Sequence, residues 1–290
     1  MTRCPFTLCA SAIFLVTLLS SHASQSAPPH RTVDACATAL GTPSSVAAAP
    51  LPGLLRIRSW NVMKFDLPGA EEELRDHISH SDLMLLQESV RGLKAGSETL
   101  PYRYFSPGYK RGEEATGVEI RSRFSADVVC ELQFYEPWLR TPKAVSVLRL
   151  PFREAAILLI NLHAINFTLT VDDYRAQFMA LSPLIRSHTG PAIIAGDFNH
   201  WNPWREEALL SWSRNMDLNE VSFTLDWRSR HVGAAVDALF LRGFGVVARG
   251  AFPTRQSDHH AIAASLVPLR DLPAGEADSH AQDAQPAPGH

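Results

Sequence analysis

The stretch Ala192-Ile193-Ile194-Ala195, followed at once by Gly196-Asp197-Phe198-Asn199, constrains the fold more than any other. Four consecutive apolar residues suit a strand covered on both faces, which asks for a layered structure. Gly196 permits a sharp backbone turn. A carboxylate and an amide follow at the C-terminal end of the strand, where open α/β sheets place their chemistry. Asp and Asn also close turns through local hydrogen bonds, so this motif alone does not define a site.

The same pattern recurs along the chain. Leu55–Trp60 ends in Asn61, Leu83–Leu86 ends in Gln87-Glu88, and Ile157–Ile160 ends in Asn161-Leu162-His163. Ala234–Val236 runs into Asp237, and the last apolar strand, from Ala261, is preceded by Ser257-Asp258-His259-His260. Taken singly, Glu88 can cap a turn, Asp237 can pair on the surface and His163 can be a satisfied core histidine. Together they resist a packing explanation, because buried carboxylates are costly without partners.

The residue types point to a reaction. Asn61, Glu88 and Asp258 are hard oxygen ligands of the kind Mg²⁺ or Mn²⁺ prefers. His163 and His259, with Asp197, Asn199 and Asp237, offer a general base with an orienting partner and donors to a developing oxyanion. That inventory fits metal-assisted attack of water on a phosphoester. A serine triad does not fit: Ser257, Asp258 and His259 are adjacent, so their side chains diverge in extended backbone, and no G-x-S-x-G elbow exists. The absence of a CxxC argues against a cysteine zinc site. His77 and His80 lack a third ligand at motif spacing. Trp201, Trp204 and Trp227 can stack on a base or a sugar, or pack at a rim.

The 290 residues leave room for a large core. Residues 1–23 read as a signal peptide, with Arg3, the short apolar run Ala12–Leu19, and Ser21-His22-Ala23 as the cleavage site. That run is shorter than the roughly 20 residues of a membrane span. The expectation is therefore a periplasmic or secreted protein without stable membrane insertion, an uncleaved anchor being the alternative. Cys4 and Cys9 leave with the signal. Cys36 and Cys130 remain, either as a disulfide suited to an oxidising compartment or as two separate buried thiols. Residues 24–53 read as an Ala/Pro/Ser-rich linker with a short helix around Val33 to Leu40, and 271–290 as a disordered acidic tail. The formal charge is −3. The tail carries four acids, Asp271, Glu276, Asp278 and Asp283, and no Lys or Arg, so without it and Arg3 the body is neutral. That argues against tight nonspecific binding of duplex DNA.

Between those ends, strands are expected at Leu54–Val62, Leu83–Leu86, Gly117–Arg121, Ala144–Leu150, Ala156–Asn161, Ala192 onward, Val236–Leu241, Gly245–Ala248 and Ala261–Leu266. Helices are expected at Gly69–His80, Asp172 to about His188, and near Arg205–Trp212. Asp172 is the expected cap of the second helix, and Pro183 should kink it or end it early. This mixture implies a layered α/β domain.

Six motifs, in order, resemble those of the endonuclease/exonuclease/phosphatase superfamily, also called DNase I-like. They are Trp60-Asn61-Val62, Leu86-Gln87-Glu88, Asn161-Leu162-His163, Gly196-Asp197-Phe198-Asn199, Val236-Asp237-Ala238-Leu239-Phe240 and Ser257-Asp258-His259. The connecting segments Met63-Lys64, Pro142-Lys143, Ala164-Ile165-Asn166-Phe167, His188-Thr189-Gly190-Pro191 and Leu241-Arg242-Gly243 resemble the bacterial YafD-like branch. The resemblance covers roughly 54–268 and implies a four-layer αββα sandwich of two mixed sheets with outer helices, in a domain of 54–270. It also implies Asn61, Glu88 and Asp258 at a Mg²⁺ or Mn²⁺ ion. Asp197 and Asn199 would be at the water and the phosphate, His163 at the phosphate or leaving group, and His259 with Asp237 as base or phosphate ligand. His260 departs from the usual pattern and is expected to alter the pocket rim. The implied substrate is a phosphodiester, with nucleic acid first and a phospholipid or sphingomyelin second, acted on by a monomer. A non-catalytic binding module is disfavoured because every catalytic position is filled. Phe65 and Trp138 are too isolated in sequence to form a bilayer-entering hairpin.

Overall fold

The computed structural model describes residues 28–44, 48–96, 98–168 and 170–269. The expected signal segment and the acidic tail lie outside the described residues. The chain runs through β1 (Leu55–Asn61), β2 (Leu83–Val90), β3 (Tyr102–Arg111), β4 (Glu114–Ser122), β5 (Val128–Tyr135), β6 (Pro142–Leu150) and β7 (Ile157–His163). It continues with β8 (Ala192–Asp197), β9 (Asn219–Glu220), β10 (Arg230–His231), β11 (Ala234–Ala235), β12 (Asp237–Arg242), β13 (Phe244–Phe252) and β14 (Ala261–Pro268). The helices are α1 (Val33–Gly41), α2 (Ala70–Ser79), α3 (Val171–Arg186) and α4 (Pro203–Asn215).

Two six-stranded sheets form, in the orders β13-β14-β1-β2-β4-β3 and β5-β6-β7-β8-β12-β9, with β10 and β11 as a separate ribbon. The apolar runs explain themselves once their two faces are followed. In β7, Ile157 and Leu159 pack between the sheets with Leu55, Ile57, Leu85 and Ile193. Leu158, Ile160 and Leu162 face the other way, beneath Tyr174, Phe178, Leu181 and Ile185 of α3. On the far side, α2 lays Leu74 and Ile78 over Trp60, Met84 and Leu86. The result is the αββα sandwich the motifs implied. Among the described residues no helix is long and apolar enough to cross a membrane.

Three local readings are corrected. Part of the expected linker is packed: α1 buries Cys36 and Leu40 against the outer face of the second sheet. Cys36 is bonded to Cys130 of β5 across 94 residues, a closure that contributes on the order of a few kcal/mol. Arg149 caps the end of α1 by donating to Leu40 O (3.0 Å), and pairs with Asp127 at 2.9 Å. Pro183 does not end α3, which runs on through it to Arg186. Thr170, not Asp172, occupies the cap position of that helix, which leaves Asp172 inside the first turn. Asn202 does cap α4, accepting from Arg205 N at 2.9 Å, with Pro203 following.

His77 gives the fold a built-in acid sensitivity. It is buried edge-on between Trp60 and Phe252, at ring centroid distances of 5.3 and 5.9 Å, and its Nδ1 lies 2.5 Å from Arg58 Nη1. Burial, then Arg58, pushes the imidazole down to about 4. The unfolded chain takes this proton near pH 6.5, so His77 costs nothing above that pH. Below it the unfolded state is favoured progressively, until the native imidazole also protonates near 4. The expected loss across that window is on the order of 3 kcal/mol. Urea unfolding at pH 7 and pH 4.5 measures it, and His77→Gln should flatten the pH slope whatever its effect on stability at neutral pH.

Candidate active site

Among the described residues two strand pairs are parallel, β1 with β2 and β7 with β8, and they bring the C-terminal ends of all four strands to one edge of the sandwich. Asn61, Glu88, His163 and Asp197 sit at or near those ends. β12 runs antiparallel to β8 and begins there, with Asp237 directly opposite Asp197. β14 runs antiparallel to β1, so the preceding Ser257–His260 segment joins the same edge.

Local backbone features aim the side chains. The β2–β4 ladder shifts register between Leu86 and Ser89, and Glu88 adopts φ +52°, which turns its carboxylate out of the sheet alternation. Asn199 also lies in the left-handed region, at φ +50°. Met63, Lys64 and Phe65 do so consecutively, at 44°, 61° and 59°, and this strained turn puts the Lys64 ammonium on Glu88.

Asp197 is the hub. Its Oδ2 accepts from Asn61 Nδ2 (3.1 Å) and lies 3.4 Å from His163 Nε2 and 3.8 Å from His259 Nε2. Its Oδ1 accepts from Asn199 N at 3.1 Å. His259 Nδ1 is 2.8 Å from Asp237 Oδ2, and Trp60 Nε1 donates to His259 O at 2.9 Å. Ser257 Oγ donates to Asn61 O (2.7 Å) and accepts from His259 N (3.1 Å), so it ties two motifs together. Lys143 Nζ lies 2.8 Å from His163 Nε2.

The electrostatics divide the two histidines. Burial would lower His259, but Asp237 and then Asp197 outweigh it and lift the imidazole to about 10. It is a cation at neutral pH. Burial, followed by Lys143 and His259, holds His163 well below the usual range, so it is neutral and its Nε2 accepts from Lys143. Burial and the facing Asp237 raise Asp197, against the pull of His259, to about 6.

A cavity of about 470 Å³ opens over this edge, walled by Glu88, His163, Asp197, Asn199, Asp258 and His259. Six of the eight sequence-derived positions meet there. The other two stand behind them: Asn61 is buried against Asp197, and Asp237 against His259. Asp258 is the exposed member. His260 donates its backbone N–H to Ser229 Oγ (2.7 Å), and its Nδ1 lies 2.6 Å from Trp227 O. It therefore anchors the segment leading into the β10–β11 ribbon, whose His231 and Val232 line the cavity.

Asn161 does not reach the cavity. It lies between the sheets, accepting from Gln87 Nε2 (2.7 Å) and donating to Leu86 O (2.9 Å) and Glu119 O (3.0 Å), and so pins the sheets together. Sequence reasoning assigned no role to Lys64, Lys143 or Ser257. The lysines carried no signal beyond position, since each is a single cation beside a strand end.

The donor set suits a hard divalent cation. Glu88 and Asp258 offer carboxylate oxygens to the cavity, and Glu88 already sits against a positive charge. Ligand atoms of Asp197, Asp237 and His259 also lie within 4.8 Å of one another. There, however, the charged His259 is already hydrogen-bonded to Asp237 and offers no lone pair to a metal. The Glu88 side is thus the better cation position.

The endonuclease/exonuclease/phosphatase family profile matches residues 59–259. A UPF0294 protein of Yersinia pseudotuberculosis is 34% identical over 228 residues, covering 76% of this chain and 86% of that protein. Among solved structures, an endonuclease/exonuclease/phosphatase from Beutenbergia cavernae superposes with a TM-score of 0.58 at 17% identity, covering 75% of this chain and 72% of that one. The human Nocturnin catalytic domain with bound sulfate gives 0.59 at 15% identity, covering 76% and 96%. With the fold, the ordered motifs and their convergence at one cavity, the chain belongs to the endonuclease/exonuclease/phosphatase family of phosphoester hydrolases, in its YafD-like branch.

Proposed function

We propose that the protein is an exported phosphodiesterase dependent on Mg²⁺ or Mn²⁺, cleaving nucleic acid as a nuclease. The observation that carries this reading is the Asp237–His259–Asp197 array facing a cavity that also holds Glu88 and Asp258. A water beside Asp197 would be oriented by its carboxylate and by Asn199, with the raised carboxyl well matched to accepting a proton near neutrality. The His259 cation would face the phosphate and balance charge building on its oxygens, while Asp237 fixes the ring orientation. Lys143, shared with the neutral His163, would donate to the same phosphate or to the leaving oxygen. Glu88 and Asp258 would hold the metal, with Asn61 behind them orienting Asp197, and the metal when bound would polarise a phosphoryl oxygen.

The test is purified protein incubated with plasmid, RNA and sphingomyelin vesicles, each with Mg²⁺, Mn²⁺ or EDTA. Hydrolysis unchanged in EDTA would remove the metal from the mechanism. Glu88→Gln should weaken metal binding and turnover together, with Mn²⁺ affinity falling about tenfold or more by titration. That estimate follows from losing one charged ligand at a site where outer partners alone are worth 10–100-fold.

The apolar N-terminal run, its small-residue end and the Cys36–Cys130 bond support export, with a mature N-terminus near Ser24 and the catalytic domain following. Recovery of protein beginning at Met1 from the cytosol would overturn that. A second reading, a phospholipid or sphingomyelin phosphodiesterase, is favoured by Trp138 and Leu139, which are 65% and 59% exposed in the β5–β6 turn beside the cleft.

A further inference from the structure

A second cavity, of about 120 Å³, opens sideways from the catalytic one and shares Glu88, Lys143, His163 and Phe167 with it. Its remaining walls include Gly108, Tyr109, Leu139 and Pro142, none of which has a part in the proposed chemistry. We propose that this side cavity is a nucleobase subsite, holding the base next to the scissile phosphate. The proposal rests on the phosphodiesterase reading and names the substrate class.

Two devices build the cavity. The β3–β4 ladder shifts register between Pro107 and Lys110, so Gly108 and Tyr109 bulge from the edge of the first sheet. A Cβ on Gly108 would lie only 3.3 Å from both Pro142 O and Thr116 O, so glycine lets the edges of the two sheets close together beside the cavity. Opposite, the buried Glu136 accepts from the backbone N–H of Asn166 (3.0 Å) and of Phe167 (3.3 Å) through Oε1. That carboxylate fixes the loop carrying Phe167, a residue otherwise 59% exposed.

The lining therefore combines two aromatic rings, Tyr109 and Phe167, with the short aliphatic Leu139 and Pro142, and places polar groups at Glu136, Thr141 and Lys143. A planar heterocycle uses both kinds of wall, stacking on the rings while its polar edge meets the donors and acceptors. An acyl chain needs a longer channel, and its methylenes would desolvate the Lys143 ammonium without replacing its hydrogen bonds. Lys143 and His163 line both cavities, so a base held here would belong to a nucleotide flanking the phosphate in the cleft.

The test compares thymidylyl-thymidine with the two dinucleotides in which one or other base is replaced by hydrogen. Removing one of the two bases should lower kcat/KM by about 5- to 150-fold, the range for losing one base–aromatic stack. Tyr109→Ala and Leu139→Ala should bring thymidylyl-thymidine towards the abasic value and leave the matching abasic dinucleotide within about twofold. Titration of the same three dinucleotides into the His259→Ala protein in EDTA reads the subsite without turnover, with Kd rising for one abasic form. Equal kcat/KM and equal Kd for all three, or variants that slow every substrate alike, overturn the subsite. Hydrolysis of sphingomyelin or phosphatidylcholine vesicles but of no nucleic acid overturns the subsite and leaves the phosphodiesterase reading standing. Base-dependent binding without hydrolysis of any diester in Mg²⁺ or Mn²⁺ supports the subsite and overturns the phosphodiesterase reading.

Discussion

Replacing His259 with alanine is expected to lower kcat by about 10²-fold or more while KM changes little, because its charge matters most as charge builds on the phosphate. The imidazolium sits between two buried carboxylates, 2.8 Å from Asp237 and 3.8 Å from Asp197. Removing it has a second consequence. Asp197 is already raised by burial and by Asp237, and His259 is the largest of the influences that oppose them, ahead of Lys143 and the Asn199 amide. Without that cation the Asp197 carboxyl rises further, so the acidic limb of the pH–rate profile should move to higher pH in the variant. Asp237→Asn keeps the ring and should cost less. The double variant His259→Ala/Asp237→Asn should be little worse than His259→Ala alone, because the pair acts as a unit. Steady-state kinetics from pH 5 to 9 on a cleaved substrate measures all three effects. A stably folded His259→Ala protein with near-wild-type kcat would sink the assignment.

What the sequence made legible follows from what buried strands forbid. A run such as Ile157–Ile160 has both faces covered, so a polar residue at its end needs a reason other than packing, and six such reasons converged on one cavity. The strands that escaped notice had weaker patterns. β3 carries Pro107 and Gly108 at its centre, where the ladder shifts register, and it lies at the edge of its sheet. β5 is also an edge strand, alternating Val128, Cys130 and Leu132 inward with Glu131 and Gln133 between them. Half-buried edges leave a short, dilute signal. α1 was expected as a short helix around Val33 to Leu40, but its docking was not, because its Ala-rich surroundings resemble a linker and the contacts that hold it come from Cys130 and Arg149, each more than 90 residues away. Lys64 and Lys143 lay in segments that resemble the YafD-like branch, but their roles could not be read because nothing local separates a cleft lysine from a solvated one. Their roles depend on a left-handed turn and on a neighbouring strand.

Gly196→Ala is expected to be severely disruptive, costing more than about 5 kcal/mol or preventing native assembly, since severe overlap and backbone strain act at one position. Gly196 has φ +150°, and a Cβ there would lie 2.0 Å from Leu162 O and 3.0 Å from Leu162 N on the neighbouring strand. Those are backbone atoms of a fully buried parallel pair, so no side chain can swing away to relieve the contact. Relief requires β7 and β8 to separate, which would break the ladder that sets His163 opposite Asp197. The same methyl therefore acts on stability and on the site, and a shift of about 1 Å in Asp197 would alone cost on the order of 10²-fold in rate. Gly53→Ala is the control: a Cβ there meets nothing within 4 Å, so its effect should stay within about 0.5 kcal/mol. Urea midpoints of the two variants, with hydrolysis rates for whatever Gly196→Ala protein folds, measure the contrast. Equal midpoints would show that the strand pair yields where the geometry says it cannot, and would remove close backbone approach as the reason a glycine precedes Asp197.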